Sequence, residues 1–287
     1  MSSAHPFSPA YRDRIFSQVL EWASADHRIV AGAVVGSMAT GPGDRWSDLD
    51  LSFAVGNGSS VGAVLQDWTE KFVAEFSANK LFDLPAGHSI YRVLLLPGCL
   101  QFDLSFTPAH DFGAIGPHFK LLFGEAVEKP HFLPPWAEDL FGYAVHHLVR
   151  ARFCIERNRL LQAEYWVSSA RDYALNLACL QRGISASHGR GFDQLPPELR
   201  GQVATALVRS IERDSLLAAV SATVDILLAQ SSAAPELAAK VEPQLRMLTA
   251  HGDLADLIAA SDPKQEEGGK QDGESRTDGE CVGDRIH

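Results

Sequence analysis

The chain has 287 residues, 46% of them hydrophobic and 21% charged, and its 36 acidic side chains outnumber 25 lysines and arginines for a formal charge of −11. A protein that tracks a long nucleic-acid backbone presents basic blocks, and none occurs here, so extended nucleic acid is not expected as a partner. No run reaches the roughly 18 apolar residues of a membrane span, the N-terminus lacks a signal-peptide core, and Cys99, Cys154, Cys179 and Cys281 are too scattered for a disulfide framework or a zinc site; a cytoplasmic protein with no membrane partner is expected.

Residues 9–25 carry Ile15, Val19, Leu20 and Trp22 at helical spacing, with Pro9 suited to a first turn. Residues 28–35 read as a buried strand, and Gly36-Ser37 stands where that strand should turn into a short helix. A second strand is expected over 48–55, then an amphipathic helix over 61–79 built on Val64, Leu65, Trp68, Phe72, Val73 and Phe76. Residues 81–84, 90–96 and 101–106 follow as strands separated by Pro85-Ala86-Gly87 and Pro97-Gly98 turns, and 119–123 can add one more. Pro130, Pro134 and Pro135 mark a domain boundary. Beyond Trp136 the periodicity is helical only, over 138–158, 160–182, 198–213, 215–230 and 236–248.

The expected fold class is therefore α+β: a mixed sheet with flanking helices over 1–130, then a helical bundle over 131–260. Residues 261–287 hold eight acids, four bases and almost no apolar side chains, and read as a disordered acidic tail. Cys99, Cys154 and Cys179 stand in apolar surroundings and Cys281 in the polar tail.

The chemistry lies in the first of these regions. If 48–55 is a strand, Asp48 and Asp50 point to one side while Leu49, Leu51 and Phe53 point into the core. Two carboxylates in one place repel unless a cation separates them, and hard oxygen ligands on rigid backbone suit Mg²⁺ completed by substrate phosphates and water. Upstream, the small Gly36-Ser37 turn lets phosphate oxygens approach backbone N–H groups, with the Ser37 hydroxyl as a further donor. A third carboxylate is wanted, and Asp103 supplies it, polar within an apolar strand pattern and on the same face as Gln101 and Ser105; Asp83 is the rival. Arg45, in the loop before the pair, can reach a phosphate or simply be solvated.

Gly36-Ser37, the pair Asp48 and Asp50, and the later Asp103 together resemble the polymerase-β-like nucleotidyltransferase superfamily, over roughly the first 125 residues. Within it the chain looks most like the antibiotic (aminoglycoside and lincosamide) and minimal nucleotidyltransferases, whose motif carries Ser-Asp-hydrophobic-Asp as Ser47-Asp48-Leu49-Asp50 does. The resemblance implies metal binding by Asp48, Asp50 and Asp103, catalysis through the same three, nucleotide contacts from Gly36, Ser37 and Ser47, and ATP or another nucleoside triphosphate as co-substrate. It also implies transfer of a nucleoside monophosphate to a hydroxyl of a small molecule, an aminoglycoside-like antibiotic among the candidates. In the helical region Glu164, Ser168, Arg171 and Asp172 form a polar stripe beside Tyr165, Trp166 and Tyr173. Most such stripes are only the wet face of a helix, but the resemblance makes Glu164 a catalytic base and acceptor contact and Asp172 an acceptor anchor. Modification of a protein or RNA partner, as in toxin–antitoxin pairs, and a non-catalytic nucleotide-binding module are the alternatives; oligomeric state is not legible.

Overall fold

The computed structural model describes residues 8–261 except Pro42, Arg45, His131 and Phe132, and no side chains over 258–261. The expected tail beyond Ser261 lies outside the described residues. The chain divides into two compact units between Leu133 and Pro134. No described helix is long and apolar enough to cross a membrane.

In the first unit α1 (Pro9–Ala25) opens with Ser8, whose hydroxyl accepts from the Tyr11 N–H at 3.2 Å, and with Pro9 in the first turn. There follow β1 (Ile29–Val35), a single 3₁₀ turn (Gly36–Ala39), β2 (Leu49–Val55), α2 (Val61–Phe76), β3 (Asn79–Ala86), β4 (Ser89–Leu96), β5 (Leu100–Pro108) and β6 (Phe119–Phe123). The helix expected after Gly36-Ser37 is no more than that 3₁₀ turn, so no α-helix N-terminus stands behind it. Pro85 and Ala86 belong to β3 rather than to a turn, which costs no ladder bond because β3 is the outer strand of a sheet ordered β3-β4-β5-β2-β1-β6.

Among the described residues β2 and β5 are the parallel neighbours, and every other pairing is antiparallel. Their register sets Leu49 beside Phe102, Leu51 beside Leu104 and Phe53 beside Phe106, all fully buried under α1 and α2 against Ile15, Val19, Leu65 and Phe72. Trp22 closes that layer, stacked on Phe76 at 5.2 Å and edge-on to Phe72 at 5.4 Å. Because side chains alternate along a strand, the opposite face receives Asp50 with Asp103, Ser52 with Ser105 and Ala54 with Thr107. The apolar period of β2 and β5 thus turns a row of polar groups to the other side of the sheet.

The second unit is helical: α3 (Ala137–Glu156), α4 (Leu160–Leu180), α5 (Pro197–Thr205), α6 (Arg213–Ala229), α7 (Pro235–Leu248) and α8 (Leu254–Ser261), around a core of leucines, alanines and valines. Asn158 takes a left-handed φ of 54° between α3 and α4, and the Arg159 N–H bonds back to the Cys154 carbonyl at 2.8 Å, a helix stop that asparagine tolerates. The helix expected over 198–213 ends at Thr205, and further on the Ser215 hydroxyl accepts from the N–H groups of Arg209 and Ser210, which ties the connecting segment to the start of α6. α8 has no counterpart in the sequence reading. Arg152, fully buried, donates to the carbonyls of Leu248, Ala250 and Gly252 at 2.6–2.8 Å, and so fixes the segment from which α8 starts. Cys154 and Cys179 are buried, but Cys99 is exposed in the turn before β5.

Candidate metal and phosphate site

Asp50 stands inside β2 and Asp48 just before it, while Asp103 is two residues into β5 beyond Gln101. The parallel register brings Asp103 alongside Asp50, and one carboxylate oxygen from each of Asp48, Asp50 and Asp103 lies within 4.8 Å of the others. All three are half-buried, and among the described residues they form the group of acids, histidines or cysteines able to hold a metal ion. Three hard oxygen donors at that spacing fit a divalent cation such as Mg²⁺, which keeps further positions for water and phosphate.

The electrostatics agree with a cation-binding place. Burial pushes the Asp103 carboxyl above its ordinary value, and the charge of Asp48 adds to the shift. The Gln101 amide, donating to Asp103 Oδ1 at 2.9 Å, and a hydrogen bond with Asp50 act against it. A cation would relieve the repulsion that these three acids carry when ionised together.

Gly36 sits against the same group. Its φ is +66°, and a β-carbon added there would lie 2.8 Å from Asp50 Cγ and closer still to Oδ2. Glycine is the residue that both the left-handed backbone and the close approach require. Ser37 follows in the 3₁₀ turn, exposed, and its carbonyl accepts from the Thr40 hydroxyl at 3.3 Å.

Ser47 is turned inward on its own loop. Its hydroxyl accepts from the Asp44 N–H at 2.9 Å and donates to Asp44 Oδ1 at 3.2 Å, while the Trp46 N–H donates to the same oxygen at 2.8 Å. These bonds hold the Asp44 carboxyl below the usual carboxylate range. The Arg12 guanidinium on α1, 5% exposed, donates to the Asp44 carbonyl and pins the loop that delivers Asp48. No sequence signal announces that bond, since the partners are 32 residues apart. Arg45 lies outside the described residues.

Asp83, the rival third carboxylate, is elsewhere. It forms a two-point ion pair with the buried Arg92, at 2.7 and 2.8 Å, and is also met by Lys80 at 2.7 Å, which lowers its pKa to about 2. In the helical unit Glu164 accepts from the Ser168 hydroxyl at 2.6 Å one turn along α4, and Asp172 is exposed beside Arg171 at 3.5 Å. His147 packs against Trp166, at 4.8 Å, and Tyr173, at 5.1 Å, both rings tilted to it, and burial in that cluster lowers its pKa.

No protein-family model and no curated protein sequence matches the chain. Among solved structures, an aminoglycoside 6-adenyltransferase from Bacillus subtilis is similar at 16% identity and a TM-score of 0.35, over 80% of this chain and 95% of that one.

Proposed function

We propose that the protein is a Mg²⁺-dependent nucleotidyltransferase that moves a nucleoside monophosphate, AMP from ATP, onto a hydroxyl of a small molecule with release of pyrophosphate. The observation that carries the reading is the convergence of Asp48, Asp50 and Asp103 beside the left-handed Gly36 turn. Mg²⁺ held there would supply neutralising charge for the triphosphate and its departing pyrophosphate. Asp48 and Asp50 would hold that ion, and Asp103 would complete the carboxylate set on the acceptor side and orient the attacking hydroxyl. The Gly36-Ser37 backbone, with the Ser37 hydroxyl, receives the departing phosphates without a β-carbon in the way. The new bond joins the acceptor oxygen to the α-phosphorus, the bond to the pyrophosphate oxygen breaks, and the acceptor proton passes to a carboxylate base.

The acceptor side of the reading is assigned to α4, with Glu164 as base and Asp172 as an anchor for a cationic acceptor such as an aminoglycoside. Its support is the family resemblance of the sequence and the net charge of −11, which favours a polyamine-like partner. The test is incubation with Mg²⁺, each labelled nucleoside triphosphate and a panel of aminoglycosides, lincosamides, RNA and proteins, beside an Asp48→Asn, Asp50→Asn double variant. Label transferred to a small hydroxylated acceptor by the wild type alone supports the reading. Transfer that survives the double substitution sinks it.

A further inference from the structure

The sheet face that carries the three aspartates continues into a cavity of about 220 Å³ that the proposed reaction has not used. Ser52 and Ser105 line it, each two residues beyond Asp50 and Asp103 on the same strand and the same face. Two residues of strand span roughly 6.6 Å, so the cavity begins within the reach of one sugar from the carboxylates. Further along the strands Ser89 and Thr107 continue the floor. All four hydroxyl residues are at least nine-tenths buried. They are bonded in pairs, Ser105 to Ser52 at 2.8 Å and Ser89 to Thr107 at 2.8 Å. Each pair consumes one hydroxyl hydrogen between its members, leaving a second hydrogen and lone pairs with which to meet a guest.

The remaining lining decides what kind of guest fits. Phe112 and Phe119, with ring centroids 5.7 Å apart and planes inclined at 58°, give an apolar corner. The charged residues Lys129 and Asp111 face each other at 2.8 Å and cancel, so a multiply charged ligand finds no opposite charge to answer it. Aromatic apolar walls over a floor of groups that both donate and accept suit a neutral heteroaromatic ring whose edge alternates donors and acceptors. We infer that this cavity holds the nucleobase of the donor nucleotide, and that Thr107 and Ser89 set which base is accepted. The inference rests on the nucleotidyl-transfer reading for the phosphate end of the same ligand.

The test is calorimetric binding of Mg²⁺ complexes of non-hydrolysable ATP, GTP, CTP and UTP analogues, with tripolyphosphate as the probe that lacks a base. The wild type is expected to favour one nucleotide by about tenfold or more, and Thr107→Val, which keeps shape and deletes the hydroxyl, to bring the four within about threefold. Ser89→Ala is expected to act in the same direction, and neither substitution to alter tripolyphosphate binding. Unchanged ratios in both variants overturn the base assignment while leaving nucleotidyl transfer standing. An equal loss for tripolyphosphate overturns it too, since the effect then does not pass through the base. A wild type that binds neither tripolyphosphate nor any nucleotide overturns the phosphate site and both readings together.

Discussion

Gly36 and Asp50 are packed so closely that the glycine has no room for a side chain: a β-carbon would meet the carboxylate that the β2 strand presents, on a backbone already at φ +66°. The turn and the acid are therefore one unit, although 14 residues separate them in the chain. Gly36→Ala must move either the turn or the carboxylate. It is expected to cost about 1–3 kcal/mol of stability and at least about a hundredfold in nucleotidyl transfer. Thermal melting and label transfer check the two effects, and activity within about threefold of wild type would show that the contact is not used.

Asp103 behaves in the opposite sense to a structural carboxylate. Its folded pKa is raised, so the ionised form costs stability, a cost absent at low pH and incurred as pH rises from the unfolded value of 3.8 through the folded one. Asp103→Asn is expected to melt higher than wild type at neutral pH without Mg²⁺, while losing transfer activity. Wild type should gain more from added Mg²⁺ than the variant does. Equal Mg²⁺-dependent shifts would remove Asp103 from the metal site.

Asp83 and Arg92 tie the outer strand β3 to β4, and the buried arginine also donates to the Thr69 hydroxyl of α2 at 2.6 Å. Here the folded pKa is depressed to about 2, so the stabilisation is complete above 3.8 and is lost as pH falls through the folded value. Asp83→Asn should cost on the order of 1 kcal/mol near neutral pH, with the difference from wild type vanishing below about pH 2. Denaturation curves across that range measure it. Nucleotide affinity should not change, since the pair stands outside the aspartate group.

Arg152 answers three backbone carbonyls and Glu156 from a position without solvent exposure. Arg152→Met removes these donors and leaves the buried Leu248 carbonyl and the half-buried Ala250 carbonyl unanswered, for an expected loss of about 2–4 kcal/mol. Lysine should not rescue it, because an ammonium lacks the planar fork that reaches several carbonyls at once. Faster amide exchange over 249–254 is the local signature, and unchanged exchange there would contradict the role.

Most of the strands and helices were legible because their apolar residues repeat with the period of the element that buries them: Leu49, Leu51 and Phe53 in β2, Val64, Leu65, Trp68 and Phe72 in α2. What escaped depended on single side chains acting at a distance. The Ser215 hydroxyl holds the segment between α5 and α6, and Arg152 holds the segment before α8; neither bond leaves a periodic trace. Pro85 misled for a related reason, since proline breaks an inner strand but is harmless on the outer edge where β3 lies.

The sequence by itself determined the elements of an acidic site: a glycine turn, two aspartates one residue apart at the start of a strand and a third acid in a later strand, all residue types set by local spacing. It favoured Asp103 over Asp83, which stands between a helix and a Pro-Ala-Gly turn, but with both in Phe-Asp-Leu it could not show which acid lies beside the pair. Only the tertiary structure decided that, through the parallel pairing of β2 with β5, which sets Asp103 next to Asp50 and leaves Asp83 to Arg92 on the far strand. Strand pairing is a long-range choice made by the whole core, and the hydroxyl-lined cavity behind the aspartates exists for the same reason.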